Sequence, residues 1–172
     1  KVYWLKVFQI PLAGRNSRGR PVVNLLPLDE GERISSILPV DDYSDEKSIV
    51  MSTANGTVKK TNLKEYSRPR SVGLRAVDLA EGDYLVGTEI VDGSKDIMLF
   101  SSEGKAVRFR ESDVRAMGRV AKGVRGMRLG QGHKVISMLI PATDGFLLAV
   151  CEDGFGKRTD LNEFPTKGRG GK

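Results

Sequence analysis

The chain is poor in the residues that build catalytic and metal centres. It has one cysteine, Cys151, and one histidine, His133, in 172 residues. A lone cysteine cannot close an internal disulfide, which points to a reducing compartment. One Cys and one His are too few for a structural zinc site. Aromatics are scarce, 6% with a single Trp, so little is offered for the bases of a single strand to stack on. No apolar run approaches the roughly 20 residues that cross a bilayer. No signal-peptide pattern opens the chain, which starts Lys1-Val2-Tyr3-Trp4 without Met and reads as a piece of a longer protein. A long 3.6-residue apolar stripe with helix caps is also missing. Glycine is abundant instead: 20 residues, about 12% against a usual 7%, which means many turns.

The net charge is +6, but its distribution matters more. Windows 1–20, 57–75, 105–128 and 155–172 together hold 24 basic and 5 acidic residues in 81 positions. The other 91 positions hold 4 basic and 17 acidic residues. A basic stripe with acidic surface elsewhere is the footprint of a polyanion-binding face. A set of solvated loops is the plainer alternative, and the regular recurrence of the windows argues against it.

The sequence repeats. Asn55-Gly56-Thr57-Val58-Lys59-Lys60-Thr61, Glu103-Gly104-Lys105-Ala106-Val107-Arg108-Phe109 and Asp153-Gly154-Phe155-Gly156-Lys157-Arg158-Thr159 align without gaps, with a base four residues after each first Gly. An apolar run precedes each. A second frame, Gly31-Glu32, Gly82-Asp83 and Gly132-His133, has the same period. An apolar run, an Asn-Gly, Glu-Gly or Asp-Gly step and a second β-rich run predict a hairpin. Further strand pairs are expected at 21–26 with 33–39, 75–79 with 84–91, and 124–129 with 134–140. Lys1–Ile10 fits the second half of an earlier hairpin. Four strands per roughly 50 residues predict an all-β, propeller-like array of four-stranded blades forming a partial ring. The approximate repeats are 1–44, 45–93, 94–143 and 144–172, together one domain.

The basic windows then fall at one place in every blade, and their residues are the candidate phosphate contacts. On the inter-strand loops these are Arg15, Arg18, Arg20, Lys64, Arg68, Arg70, Arg115, Arg119 and Lys122. On the preceding strands they are Lys59, Lys60, Arg108, Arg110, Lys157 and Arg158, where one of each pair can instead satisfy an acidic residue of a neighbouring blade. Lys167, Arg169 and Lys172 belong to the run Thr166–Lys172. Its Gly168-Arg169-Gly170-Gly171-Lys172 portion would let amide N–H groups approach phosphate oxygens; a flexible terminus is its alternative. No helix or ribbon is available for base-specific reading in the major groove, so contacts to phosphates and DNA deformability are expected to dominate. Tyr66, Phe164, Ile10 and Val114 occupy equivalent positions and read as core, as does Trp4. His133 reads as a turn residue and Cys151 as a buried structural thiol. Asp41, Asp42, Asp45 and Glu46 read as a solvated acidic loop. No catalytic or metal-binding set is expected.

Several stretches resemble one family closely. Val2–Pro11, Ser17–Leu28, Thr53–Thr61, Val114–Gly118 and Gly154–Thr159 are similar to the C-terminal domain of bacterial DNA gyrase A, and the likeness runs over essentially the whole chain. The resemblance implies a six-bladed β-pinwheel, with a propeller silhouette but a different strand connectivity within the blade. It implies a non-catalytic domain that wraps duplex DNA on its basic perimeter, without sequence specificity, and so directs strand passage towards negative supercoiling. It further implies a bacterial cytoplasmic location, the rest of gyrase A and gyrase B as partners in an A2B2 assembly, and no membrane. The catalytic Tyr, ATP and Mg would lie on other domains or polypeptides of the assembly, leaving this domain without a cofactor. The family's Gln-Arg/Gly-Arg-Gly-Gly-Lys-Gly box would lie upstream of Lys1, and Thr166–Lys172 resembles a degenerate copy of it. A propeller-like platform that docks an acidic protein is the alternative function.

Overall fold

The computed structural model describes residues 1–171. The described residues form nine strands and short 3-10 turns, with no α-helix. The strands are β1 (Ser48–Thr53), β2 (Thr57–Asn62), β3 (Leu85–Val91), β4 (Asp96–Ser101), β5 (Ala106–Arg110), β6 (Val124–Arg125), β7 (Val135–Leu139), β8 (Phe146–Val150) and β9 (Gly156–Asp160).

The three predicted hairpins are β1–β2, β4–β5 and β8–β9, all antiparallel. Each turns on a glycine in the left-handed region: Gly56 at φ 80°, Gly104 at 75° and Gly154 at 83°. Their N–H groups donate to the carbonyls of Thr53, Ser101 and Cys151 at 2.9–3.0 Å. Only glycine adopts that φ without a steric cost, so the turns explain the recurrence of glycine at this spacing.

The connectivity departs from a simple meander. The largest sheet has the order β3-β1-β2-β6, so its fourth strand is donated by the next repeat. The second sheet is β5-β4-β7 and the third is β8-β9. A four-stranded blade therefore forms by exchange between successive units. The all-β, blade-like class agrees with the sequence reading, and the sheets do not close on themselves.

Several expected strands do not form. Residues 21–26 contain a 3-10 turn at Val22–Asn24, capped by Pro21, and residues 33–39 pair with nothing. In the later units this position (β3, β7) pairs with the first hairpin strand, and the N-terminal stretch holds only a second-hairpin-strand equivalent. Prolines 21, 27 and 39 also lack the N–H that a ladder needs. Residues 75–79 form no strand, their neighbour Leu74 making only an isolated bridge to Val2, and 124–129 shrinks to β6.

β1 is buried on both faces. Val50, Val58, Ile97, Leu99, Val107, Phe109, Val114, Val135 and Met138 pack between the first two sheets. Ile49, Met51, Leu63, Tyr66 and Ala76 pack on the opposite side, with Trp4 partly buried against them. Of the four equivalent positions read as core, Tyr66 and Val114 are buried, Phe164 is half-buried and Ile10 is exposed. Cys151 is exposed, not a buried thiol. Its equivalents Thr53 and Ser101 are covered by pairing to Leu85 and Val135, whereas β8 has no third strand among the described residues.

Candidate nucleic-acid interface

Each unit lays a loop across the hairpin strand of the unit before it. After β2 a 3-10 turn (Leu63–Tyr66) is followed by loop 67–73. After β5 a 3-10 turn (Glu111–Asp113) leads to loop 115–123, and after β9 Leu161–Glu163 leads to loop 165–171. Loop 14–20 follows the N-terminal 3-10 turn Val7–Gln9 in the same way. These are the segments in which the sequence concentrates its cations.

Backbone pairing fixes the loops. Met117 N–H donates to Lys60 O at 2.9 Å, and Lys167 N–H donates to Arg108 O at 2.8 Å. These are equivalent residues in successive units, matched by the parallel bridges Lys60–Ala116 and Arg108–Thr166. Leu74 and Val2 exchange hydrogen bonds of 2.8 and 3.0 Å in the same role as the β2–β6 pair. Glycine is required where the loops press on the strand. A Cβ on Gly123 would stand 2.7 Å from Val58 O, and one on Gly73 would meet the Tyr3 ring at 2.8 Å. Both glycines also have positive φ.

Loops 115–123 and 165–171 each touch the elements that flank the loop before them. Arg169 donates from Nη1 to Arg125 O at 2.5 Å and from Nε to Asp113 O at 3.2 Å. Gly170 N–H donates to Gly126 O at 2.9 Å. Arg119 approaches Glu65, at the root of the loop before it, at 3.9 Å. The loops at 67–73, 115–123 and 165–171 are therefore linked one to the next through their flanking residues.

The structure divides the candidate residues by exposure and pairing. Arg15, Arg18, Arg20, Arg68, Arg70, Arg115 and Lys167 are exposed on loops, and Lys122 lies on loop 115–123. Arg110, Lys157 and Arg158 are exposed on strands, with Arg158 stacked over the Phe146 ring at 4.2 Å. Among the described residues none of these has a carboxylate within 4.0 Å. Arg110 also lines a polar cleft of about 390 Å³ with Ser94, Lys95, Asp96, Ser112 and Thr166. Lys64 is exposed but paired with Asp45 at 2.5 Å.

The remaining strand cations face inward. Lys60 donates to Glu111 O at 3.1 Å and pairs with Glu111 Oε1 at 3.4 Å. Its equivalent Arg108 donates to Leu161 O at 3.2 Å and to Asp96 Oδ2 at 2.7 Å. Glu111 and Leu161 hold the same place in their units, so Lys60 and Arg108, each four residues after a turn glycine, clamp the next unit. Arg119 is half-buried, and its Nε has no hydrogen-bond partner. Arg169 is half-buried on the carbonyls already named.

Lys59, expected at a phosphate, is 1% exposed. Its Nζ donates to Ala76 O at 2.5 Å and to Arg119 O. Burial, and then the Arg119 charge, pull its pKa down to about 8, while Asp78 opposes them. Its apolar stem lies in a seam that packs too closely to admit DNA. Lys172 falls outside the described residues.

The sequence reading passed over Arg125 and Arg128, both exposed and without a carboxylate partner among the described residues. They lie inside a basic window, on and just after the exchanged strand. Tyr3 carries no local signal of its role either. It sits at the position of Lys59 one unit earlier and donates to Glu32 at 2.6 Å. His133 follows a turn and is exposed, with Nδ1 3.2 Å from Ser102 Oγ. The acidic loop is partly paired, with Asp42 on Lys47 and Asp45 on Lys64. No helix of the described residues is long and apolar enough to cross a membrane.

Comparison with known proteins places the fold. Over 98% of its length the chain is 54% identical to the DNA gyrase A protein of Salmonella typhimurium, covering 19% of that protein. It is 52% identical over its full length to the DNA gyrase A protein of Escherichia coli, covering 20%. The chain thus spans about a fifth of the relatives it matches. A crystal structure of the C-terminal domain of DNA topoisomerase IV superimposes at TM-score 0.81 and 31% identity, over 88% of this chain and 48% of that one. A DNA gyrase A C-terminal domain gives TM-score 0.79 and 27% identity, over 90% and 51%. Residues 1–41, 47–92, 95–142 and 146–172 match the family described as DNA gyrase C-terminal domain, beta-propeller, and the chain belongs to that family.

Proposed function

We propose that this chain binds duplex DNA through its phosphates and bends it along the path of its cationic loops. The observation that carries the reading is the recurrence of exposed cations without a carboxylate partner on the equivalent loop of each unit. Gyrase A relatives and the family match support a DNA-wrapping role. On this reading the domain is non-catalytic and works within gyrase A, assembled with gyrase B, in the bacterial cytoplasm. It biases strand passage towards negative supercoiling, while ATP and Mg act elsewhere in the assembly. Contacts of this kind do not read sequence, because they meet the backbone and not base edges.

Bending a site of 20–30 bp by 40–90° costs on the order of 1–6 kcal/mol, so many phosphate contacts must offset it. With about 6–10 contacts, affinity falls by roughly 10³–10⁵ between 50 and 200 mM salt. The test is duplex binding against salt, with end-to-end energy transfer on a DNA of about 40 bp, a length within the range a bend can shorten measurably. It compares the chain with a variant carrying Arg15, Arg18, Arg20, Arg115 and Lys122 changed to Glu. A steep salt slope with a shortened end-to-end distance, both lost in the variant, is the expected outcome. A flat salt dependence, or a variant that binds and bends like the parent, refutes it.

A further inference from the structure

The seam between the first two hairpin units contains a buried charge that the phosphate contacts do not use. Lys59 lies on β2, and its ammonium sits between two carbonyls from different units. Ala76 O belongs to the segment between β2 and β3. Arg119 O belongs to loop 115–123, the loop that carries Arg115 and Lys122. Near neutral pH Lys59 holds its proton, so the bonds to both carbonyls are charge-assisted, about twice the strength of neutral ones.

The next seam has the same need and meets it differently. Val107 replaces Lys59 there and is buried, with no charge to offer. The fixing group comes instead from the loop, where Arg169 reaches back to the carbonyls of Asp113 and Arg125. In both seams the start of the loop is held by backbone pairing to β2 or β5. The rest of the loop is held by one inward cation on carbonyl oxygens. The two seams thus hold the loop with different residues in the same way.

We propose that Lys59 is a positioning residue, which pins loop 115–123 to the preceding unit and thereby sets where Arg115 and Lys122 meet a phosphate backbone. This rests on the DNA-binding reading for its consequence, but the pinning itself has a readout without DNA. Lys59 touches no phosphate, so its loss alters binding only through the loop.

The test uses Lys59→Met, the double variant Arg115→Gln with Lys122→Gln, and all three changes together. Amide exchange of Met117 and Ala121, bonded to Lys60 O and Gly118 O, reports the loop without DNA. Faster exchange there in Lys59→Met, with unchanged exchange in β4 and β5, is expected. With DNA, Lys59→Met lowers the slope of log affinity against log salt by nearly 2, as loss of two phosphate contacts does at about 0.9 per contact. In the triple variant Lys59→Met adds nothing further. Unchanged loop exchange, or an effect that adds in full to the double variant, overturns the proposal. If the parent and the double variant bind DNA alike, the binding reading fails while the exchange result still decides the pinning. Should Lys59→Met not fold, Lys59→Gln keeps an amide donor and is read in the same way. It is expected to give a smaller loosening of the same amides, and the absence of any loosening counts against the pin.

Discussion

Glu111 gives the sharpest test of the seam. It is 1% exposed, and its carboxylate makes two links. Oε2 accepts the N–H of Gly93 at 2.9 Å, holding the turn between β3 and β4. Oε1 pairs with Lys60 at 3.4 Å, and its backbone oxygen accepts from the same Nζ at 3.1 Å. In Glu111→Ala the backbone acceptor remains, so Lys60 keeps one partner. What is lost is the bond from Gly93, worth about 1.5–3 kcal/mol when the acceptor is charged, and the filled volume of the side chain. Breaking a buried ion pair from one side typically costs about 3–5 kcal/mol, and the retained carbonyl places Glu111→Ala near the lower end, at about 3 kcal/mol. Removing both partners, as in Lys60→Met with Glu111→Leu, restores an apolar seam and recovers part of the loss. The assay is urea unfolding, read as a midpoint shift at constant slope. The expected coupling is about 1–2 kcal/mol, inside the range for residues in direct contact. A loss below about 1 kcal/mol, or single effects that add within about 0.3 kcal/mol, refutes the claim that this pair joins the units.

Two further outcomes follow from the same geometry. Gly123→Ala destabilises the chain more than Gly104→Ala, by about 1 kcal/mol or more of combined strain and clash. Both have positive φ, but a Cβ at 123 meets Val58 O at 2.7 Å while one at 104 meets nothing within 4 Å; equal melting temperatures would contradict this. Lys59 makes stability rise with pH between about 8 and its ordinary 10.5, because the unfolded chain binds the extra proton across that window. The shift corresponds to at most about 3 kcal/mol. Tyr66, whose pKa burial raises above 10, acts in the opposite sense at higher pH, so the check is the urea midpoint at pH 7.5 and 10 in the parent minus that in Lys59→Met. A difference that does not grow with pH counts against it.

The hairpins were legible in the sequence because their signal is local. A left-handed glycine between two β-rich runs has few alternatives, and the repeat presents it three times. Strand exchange was not legible. β6 is two residues long, and what makes it a strand is its register with Val58 and Thr57 in another unit, which no local pattern encodes. The same cause accounts for Lys59. On its own strand it stands between Val58 and Lys60, and nothing local tells that it is fully buried. Its burial comes from loop 115–123, about 60 residues later, folding over it. Cys151 shows the converse, since its apolar run predicts burial, but its exposure is decided by whether a third strand covers β8.

The segregation of charge has two physical origins, and contact with a neighbouring unit tells them apart. On the second hairpin strand Lys60 and Arg108 face the next unit, whereas Arg110, Lys157 and Arg158 are exposed. In that next unit the carbonyl at the start of the 3-10 turn accepts the turn's own N–H and takes a second bond from the cation, as Glu111 O does from Lys60 and Leu161 O from Arg108. A cation on the following loop, such as Arg70 or Arg115, has no carboxylate within reach and stays in solvent. Both kinds recur with the same period, so composition alone merges them into one basic stripe. Their responses to mutation differ in kind. Neutralising Lys60 or Arg108 removes a donor from a seam and is read in unfolding. Neutralising Arg70, Arg115 or Lys122 leaves the seams intact and is read in the salt slope of binding. An array whose units are joined by charge-assisted bonds to backbone oxygens can therefore change its exposed loop cations freely, because the bonds between units do not depend on them.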